Sequence, residues 1–153
     1  MPSSDSSLFS SNKNILSLIL LKKFLKLLTK KGKQIKAEKL LKAVFLRISL
    51  RKQSPFFTFI LAINNVKPCL ELRSIKTKGK LFQVPFPIKR SRQISLSIKT
   101  IIKTALSSGR NLENSLTDEL INSSLRKSQS FKATTTLHKL AFQNRLSTNY
   151  RWF

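Results

Sequence analysis

The 153-residue chain holds one cysteine, one histidine, three glycines and six acidic residues, and each shortage removes a class of chemistry. Cys69 alone forms no internal disulfide, and Cys69 with His138 cannot assemble a zinc site. The carboxylates Asp5, Glu38, Glu71, Glu113, Asp118 and Glu119 are scattered. Only Asp118 and Glu119 adjoin, and on a helix their side chains point in different directions, so paired-carboxylate and metal-dependent catalysis are not expected. Gly32, Gly79 and Gly109 are isolated, which excludes a phosphate-cradling loop of the Walker or dinucleotide type. Serines are plentiful, but none has a neighbouring base to make it a nucleophile. The reading is of a protein without catalytic residues, metal, cofactor or small-molecule substrate.

Long apolar runs are also missing. Ile15 to Leu21 is interrupted by Lys22 and Lys23, whereas a bilayer span needs about 20 apolar residues. Residues 1–14, MPSSDSSLFSSNKN, are Ser-rich and polar and are expected to form a flexible tail rather than a presequence.

What the chain has is positive charge: 30 Lys and Arg and a net charge of +24. Six acids cannot neutralise that, so most of it needs an external anion. A hydrophobic content of 41%, with 11 Phe, exceeds that of a basic disordered arm, and predicts a folded domain over 15–153.

Periodicity predicts six helices and one hairpin. The first helix spans Ile15 to Leu28, with Ile15, Leu18, Ile19, the Lys22 stem, Leu25 and Leu28 inward and Gly32 as its stop. The second runs from about Lys33 to Leu50 on Ile35, Leu40, Leu41, Val44, Phe45 and Ile48. Ser54-Pro55 opens a third, Phe56 to Val66, which ends before Pro68. Residues 69–88 then alternate, with a turn at Lys78-Gly79, and read as a protruding β-hairpin anchored by Leu70, Leu72, Leu81 and Val84. Ile94, Ile98, Ile101, Ile102 and Ala105 define a fourth helix with Arg92, Lys99 and Lys103 opposite. A fifth is expected from about Glu113 to Arg126, carrying Leu116, Leu120, Ile121 and Leu125, with acids early and bases late. A polar loop at 129–133 precedes a sixth, Leu137 to Asn149, capped by the threonines at 134–136. His138 is expected to pack or hydrogen-bond, Cys69 to act as a small apolar residue, and Tyr150 and Trp152 to close a core edge.

Nucleic acid, an anionic membrane and an acidic protein could each answer the charge. Basic residues occur in every element, including Lys76, Lys78 and Lys80 at the hairpin tip and Lys89, Arg90 and Arg92 before the fourth helix. A membrane-lying protein should gather them on one amphipathic helix, for which Ile15 to Leu28 is the candidate. Dispersion favours a partner that wraps the domain, as folded RNA does.

Residues 71–99, ELRSIKTKGKLFQVPFPIKRSRQISLSIK, resemble the signature of the small-subunit ribosomal protein S7 family, most specifically at Phe82-Gln83-Val84-Pro85. Residues 137–152 resemble it again through His138, Ala141, Asn144 and Tyr150-Arg151-Trp152, with Asp118-Glu119-Leu120 between. Residues 15–67 resemble it in helical layout and at Lys31-Gly32-Lys33. The chain departs from the family with Lys78-Gly79 for two glycines at the tip, which implies a turn that is looser or of another type but still basic, Thr100 for a Trp, and Ala133 and Thr134 for basic residues. It also lacks the amino-terminal arginine cluster, so grip is expected to have moved toward Lys30, Lys31 and Lys33.

The resemblance implies a structural component of the small ribosomal subunit that binds the 3′ major domain of its rRNA, organises the head and places the hairpin near exit-site tRNA and the mRNA path. Partners would be small-subunit rRNA, neighbouring small-subunit proteins, tRNA and mRNA, without a membrane. The rRNA-binding set is Lys30, Lys31, Lys33, Lys36, Arg73, Lys76, Lys89, Arg90, Arg92, Lys99, Lys103, Lys132, Arg145 and Arg151, and the tip facing tRNA or mRNA is Lys76, Lys78, Gly79 and Lys80. Twenty-one Lys against nine Arg, with many Ile, Asn, Ser and Phe, suit an AT-rich organellar gene, mitochondrial first, then plastid, then bacterial.

Overall fold

Residues 18–77 and 79–150 are described by the structure, a computed structural model. The tail 1–14, Ile15, Lys78, Arg151 and Trp152 lie outside the described residues.

Helix α1 covers residues 18–28 and buries Leu20, Phe24 and Leu28, one residue in four. Phe24 meets Phe59 edge to face, at 5.3 Å between centroids. Leu18 and Ile19, expected inward, are exposed, Lys22 is exposed and Leu25 is half-buried. Leucine and isoleucine fill so much of α1 that several stripes fit its pattern, and ring packing selects among them. Gly32 is not the helix stop but part of a left-handed turn with Lys31, at φ 71° and 51°.

Helix α2, Gln34–Leu50, buries Ala37, Leu41, Val44 and Ile48. Ile35 is exposed, and Leu40 and Phe45 are half-buried, so the inward stripe is rotated from the expected one. Two ion pairs link α2 and its C-cap to α5, Arg47 to Glu113 and Arg51 to Asp118, each at 2.8 Å. Helix α3, Pro55–Val66, starts with proline in its first turn behind Ser54, as expected, and buries Phe59, Ala62, Ile63 and Val66. Burial of Phe59, Ile63 and Val66 contributes about 1.5–3 kcal/mol each.

Strands β1, Leu70–Thr77, and β2, Lys80–Pro87, pair antiparallel. Thr77 pairs with Lys80, so two residues join the strands, and Gly79 adopts φ 80°. The register puts Glu71, Arg73, Phe82, Val84 and Phe86 on one face and Leu70, Leu72, Leu81 and Pro85 on the other. Leu81 therefore cannot share a face with Val84. It is 75% exposed opposite Lys76, while Val84 and Phe86 are buried.

Helix α4, Arg90–Ser107, buries Ile98, Ile101, Ile102 and Ala105 and leaves Ile94 half-buried. Helix α5, Leu112–Ser124, is capped by Asn111 and buries Leu116, Leu120 and Ile121. It ends before the expected Arg126, which has φ 59°, so the helix has no basic last turn, and Leu125 is exposed.

Helix α6 departs furthest from expectation. It runs Gln129–Gln143 instead of 137–149, and Arg145–Tyr150 form a 3-10 helix. Residues 129–133, expected as a loop, are its first turns because their polar groups are satisfied inside. The Ser128 hydroxyl accepts from the Phe131 N–H, and the hydroxyls of Ser123, Ser128 and Ser130 form a buried triangle with sides of 2.9–3.0 Å. Thr134, expected as a cap, donates to the Val66 and Ser130 carbonyls. Among the described residues the result is a mainly α domain of six α-helices and one 3-10 helix, with the hairpin between α3 and α4 as predicted.

Candidate nucleic-acid interface

Every described carboxylate is engaged within the protein. Glu113, Asp118 and Glu71 pair with arginines, Glu38 accepts from Gln34, and Glu119 accepts from the Thr104 hydroxyl and the Ser130 N–H. Among the described residues no lysine forms an ion pair. Three of these acids are held by arginines and two by neutral groups, and the described lysines are left to an outside anion.

The residues singled out for RNA binding fall mainly into three groups. Lys30, Lys31, Lys33 and Lys36 are exposed around the α1–α2 turn, and Lys30, Lys33 and Lys36 rim a cleft of about 200 Å3 floored by Leu28, Ile102 and Leu106. Lys99 and Lys103 are exposed on α4, opposite its buried isoleucines, as the spacing predicted. The third group lies on the hairpin and the start of α4: Arg73, Lys76, Gly79, Lys80, Lys89, Arg90 and Arg92, all exposed. Lys132, in the first turn of α6, and Arg145 are exposed too, Arg145 stacking over Phe142 at 4.7 Å.

Sequence reasoning missed what happens between Arg73 and Arg92. Glu71 turns inward and receives both guanidiniums. The hydrogen bond from Arg92, with that from Arg73 beside it, holds the Glu71 carboxyl below the usual carboxylate range against an opposing push from burial. Strand parity was the available signal: with a two-residue turn, Glu71 faces Phe86 on the inward side. Helix α4 needs such an acid, because its first turn carries Arg90 and Arg92 and no carboxylate where the macrodipole favours one.

The remaining singled-out residues support the scaffold. His138 Nε2 accepts the Cys69 N–H at 3.2 Å, joining α6 to the hairpin base. Cys69 is exposed rather than packed as a small apolar residue. Tyr150 stacks on Phe82 and closes the hairpin edge. Among the described residues no helix is long and apolar enough to cross a membrane, and no group of His, Cys, Asp and Glu could hold a metal ion.

The chain is a mainly helical domain with a basic hairpin and, among the described residues, lysines without ion pairs, and comparison identifies the class of protein to which it belongs. Residues 3–145 match the sequence profile described as ribosomal protein S7p/S5e, and the chain belongs to that family. It is similar to the small ribosomal subunit protein uS7 of Petrotoga mobilis, 35% identical over 136 residues, covering 88% of each chain. The uS7 protein of Syntrophus aciditrophicus is 35% identical over 136 residues, 88% of this chain and 87% of that one. For Myxococcus xanthus the identity is 32% over 135 residues, 87% and 86% of the two chains.

Proposed function

We propose that this chain is a structural constituent of the small ribosomal subunit and binds the 3′ major domain of its rRNA through one domain, 15–153, preceded by a polar tail, 1–14. It organises the head, and its hairpin tip lies near exit-site tRNA and the mRNA path. It has no catalytic role. The observation that carries this reading is the division of charge: among the described residues every carboxylate is engaged by an arginine or a neutral group, and the lysines of three separate surfaces have no protein counter-ion. Neighbouring small-subunit proteins are its further partners. The lysine-rich composition favours a mitochondrial ribosome, with a plastid or bacterial one as alternatives.

A membrane-associated role is disfavoured because the Leu20, Phe24 and Leu28 stripe of α1 is committed to the core. Co-sedimentation with small subunits in moderate salt, beside flotation with anionic liposomes, tests the proposal. Subunit association without flotation is expected, and flotation without subunit association would overturn it.

A further inference from the structure

Arg73 and Arg92 belong to different elements, yet both guanidiniums close on one carboxylate. Arg73 donates to Glu71 Oε1 from Nε at 2.7 Å and from Nη2 at 2.6 Å, and Arg92 donates from Nε to Oε2 at 2.8 Å. The carboxylate side chain is the least exposed of the three. The Glu71 side chain is 12% exposed, against 53% for Arg73 and 59% for Arg92. An anion arriving from solvent meets the guanidiniums first, with the carboxylate beneath them.

We propose that Arg73 and Arg92, oriented by Glu71, form a two-guanidinium clamp for a single RNA phosphodiester, and that Glu71 is a positioning residue for RNA binding. The proposal rests on the rRNA-binding reading above and names a subsite within it. Each guanidinium commits one edge to Glu71 and remains more than half exposed. Arg73 is held further by the ring of Phe86, 4.9 Å from its centre. Planar forks held in place match the oxygens of a phosphate and lose less rotamer freedom on binding than solvated ones. Two cations over one anion leave the group positive. The α4 N-terminus adds to that field, with Arg90 and Arg92 in its first turn and Lys89 supplying no side-chain cap.

Counting charge and counting geometry give opposite signs here. Glu71→Gln makes the protein more cationic, so a purely electrostatic surface would bind RNA more tightly. In the clamp, the single amide oxygen of Gln can hold only part of what two carboxylate oxygens hold, and the guanidiniums regain their freedom.

The test measures the affinity of the full chain, E71Q, R92K and the double variant for a transcript of the 3′ major domain of bacterial small-subunit rRNA, with poly(U) as the non-specific control. Circular dichroism of each variant reports the fold. E71Q is expected to bind the transcript about three- to tenfold more weakly, and poly(U) as well as or better than the unaltered chain. R92K keeps both the charge and Glu71 but loses the fork, and should weaken transcript binding similarly. The double variant should bind more tightly than the product of the two single losses implies, because both changes break one unit. Equal or tighter transcript binding by E71Q overturns the clamp, as does an equal loss on transcript and poly(U). No transcript binding by the unaltered chain would overturn the rRNA reading and the clamp with it.

Discussion

The ring of Phe82 on β2 stacks on that of Tyr150 at the end of the 3-10 helix, with centroids 4.7 Å apart and planes inclined by 21°. A two-stranded ribbon is marginal by itself, and this stack steadies it beyond the point where Val84 and Phe86 enter the body. The carboxy-terminal segment is thus a brace for the hairpin.

Tyr150→Ala should loosen the hairpin and spare the core. Amide exchange is the measurement: β2 amides near Phe82 should exchange faster, with a local loss of about 1 kcal/mol, while those around Ile98 and Leu116 stay protected. Uniform acceleration over both regions would show that the ring stack supports the whole fold instead.

Lys52 follows the α2 C-cap in a left-handed conformation, φ 56°, and its N–H donates to the Ser49 carbonyl. Glycine adopts this geometry without the side-chain clash. Lys52→Gly should therefore stabilise the domain by about 1 kcal/mol and raise the melting temperature by about 2–4 °C at this size. An unchanged or lower melting temperature would mean that the lysine stem contributes more than its backbone costs.

The extents of α2, α4 and α5 were legible because polar residues interrupt their apolar positions at helical spacing, and that of α3 because Ser54-Pro55 and Pro68 bound it, although the inward stripe of α2 was rotated. In α1 the same reasoning misplaced the inward face, since apolar residues alone cannot distinguish one stripe from another until Phe59 supplies a partner for Phe24. The start of α6 was illegible for a different reason. Ser128, Ser130 and Thr134 belong to a polar run that imitates a loop, and their burial depends on hydroxyl partners that only folding brings together. At the interface, exposure of the lysines followed from charge alone. The Glu71–Arg92 pair spans 21 residues of chain, and no local pattern announces it.

Because the folded carboxyl of Glu71 lies below its ordinary value, its ion pairs stabilise the hairpin base at neutral pH. That contribution is full above the usual glutamate range and is lost as pH falls through the lowered folded value. The melting-temperature difference between the unaltered chain and E71Q should hold constant from neutrality to about pH 5 and shrink toward zero at lower pH. A difference that stays constant or grows as pH falls through the acid range until the chain unfolds would contradict the assignment.

The central claim is that the unpaired lysines neutralise RNA phosphates, and the salt dependence of binding tests it most directly. Affinity for the 3′ major domain transcript should fall steeply as salt rises, linearly in the logarithms of both. Lys99→Gln with Lys103→Gln should reduce the slope by up to about one unit for each phosphate that is no longer neutralised. Helical content should be unchanged, since both side chains are exposed opposite Ile98, Ile101 and Ile102. A flat salt response of the unaltered chain would contradict the account.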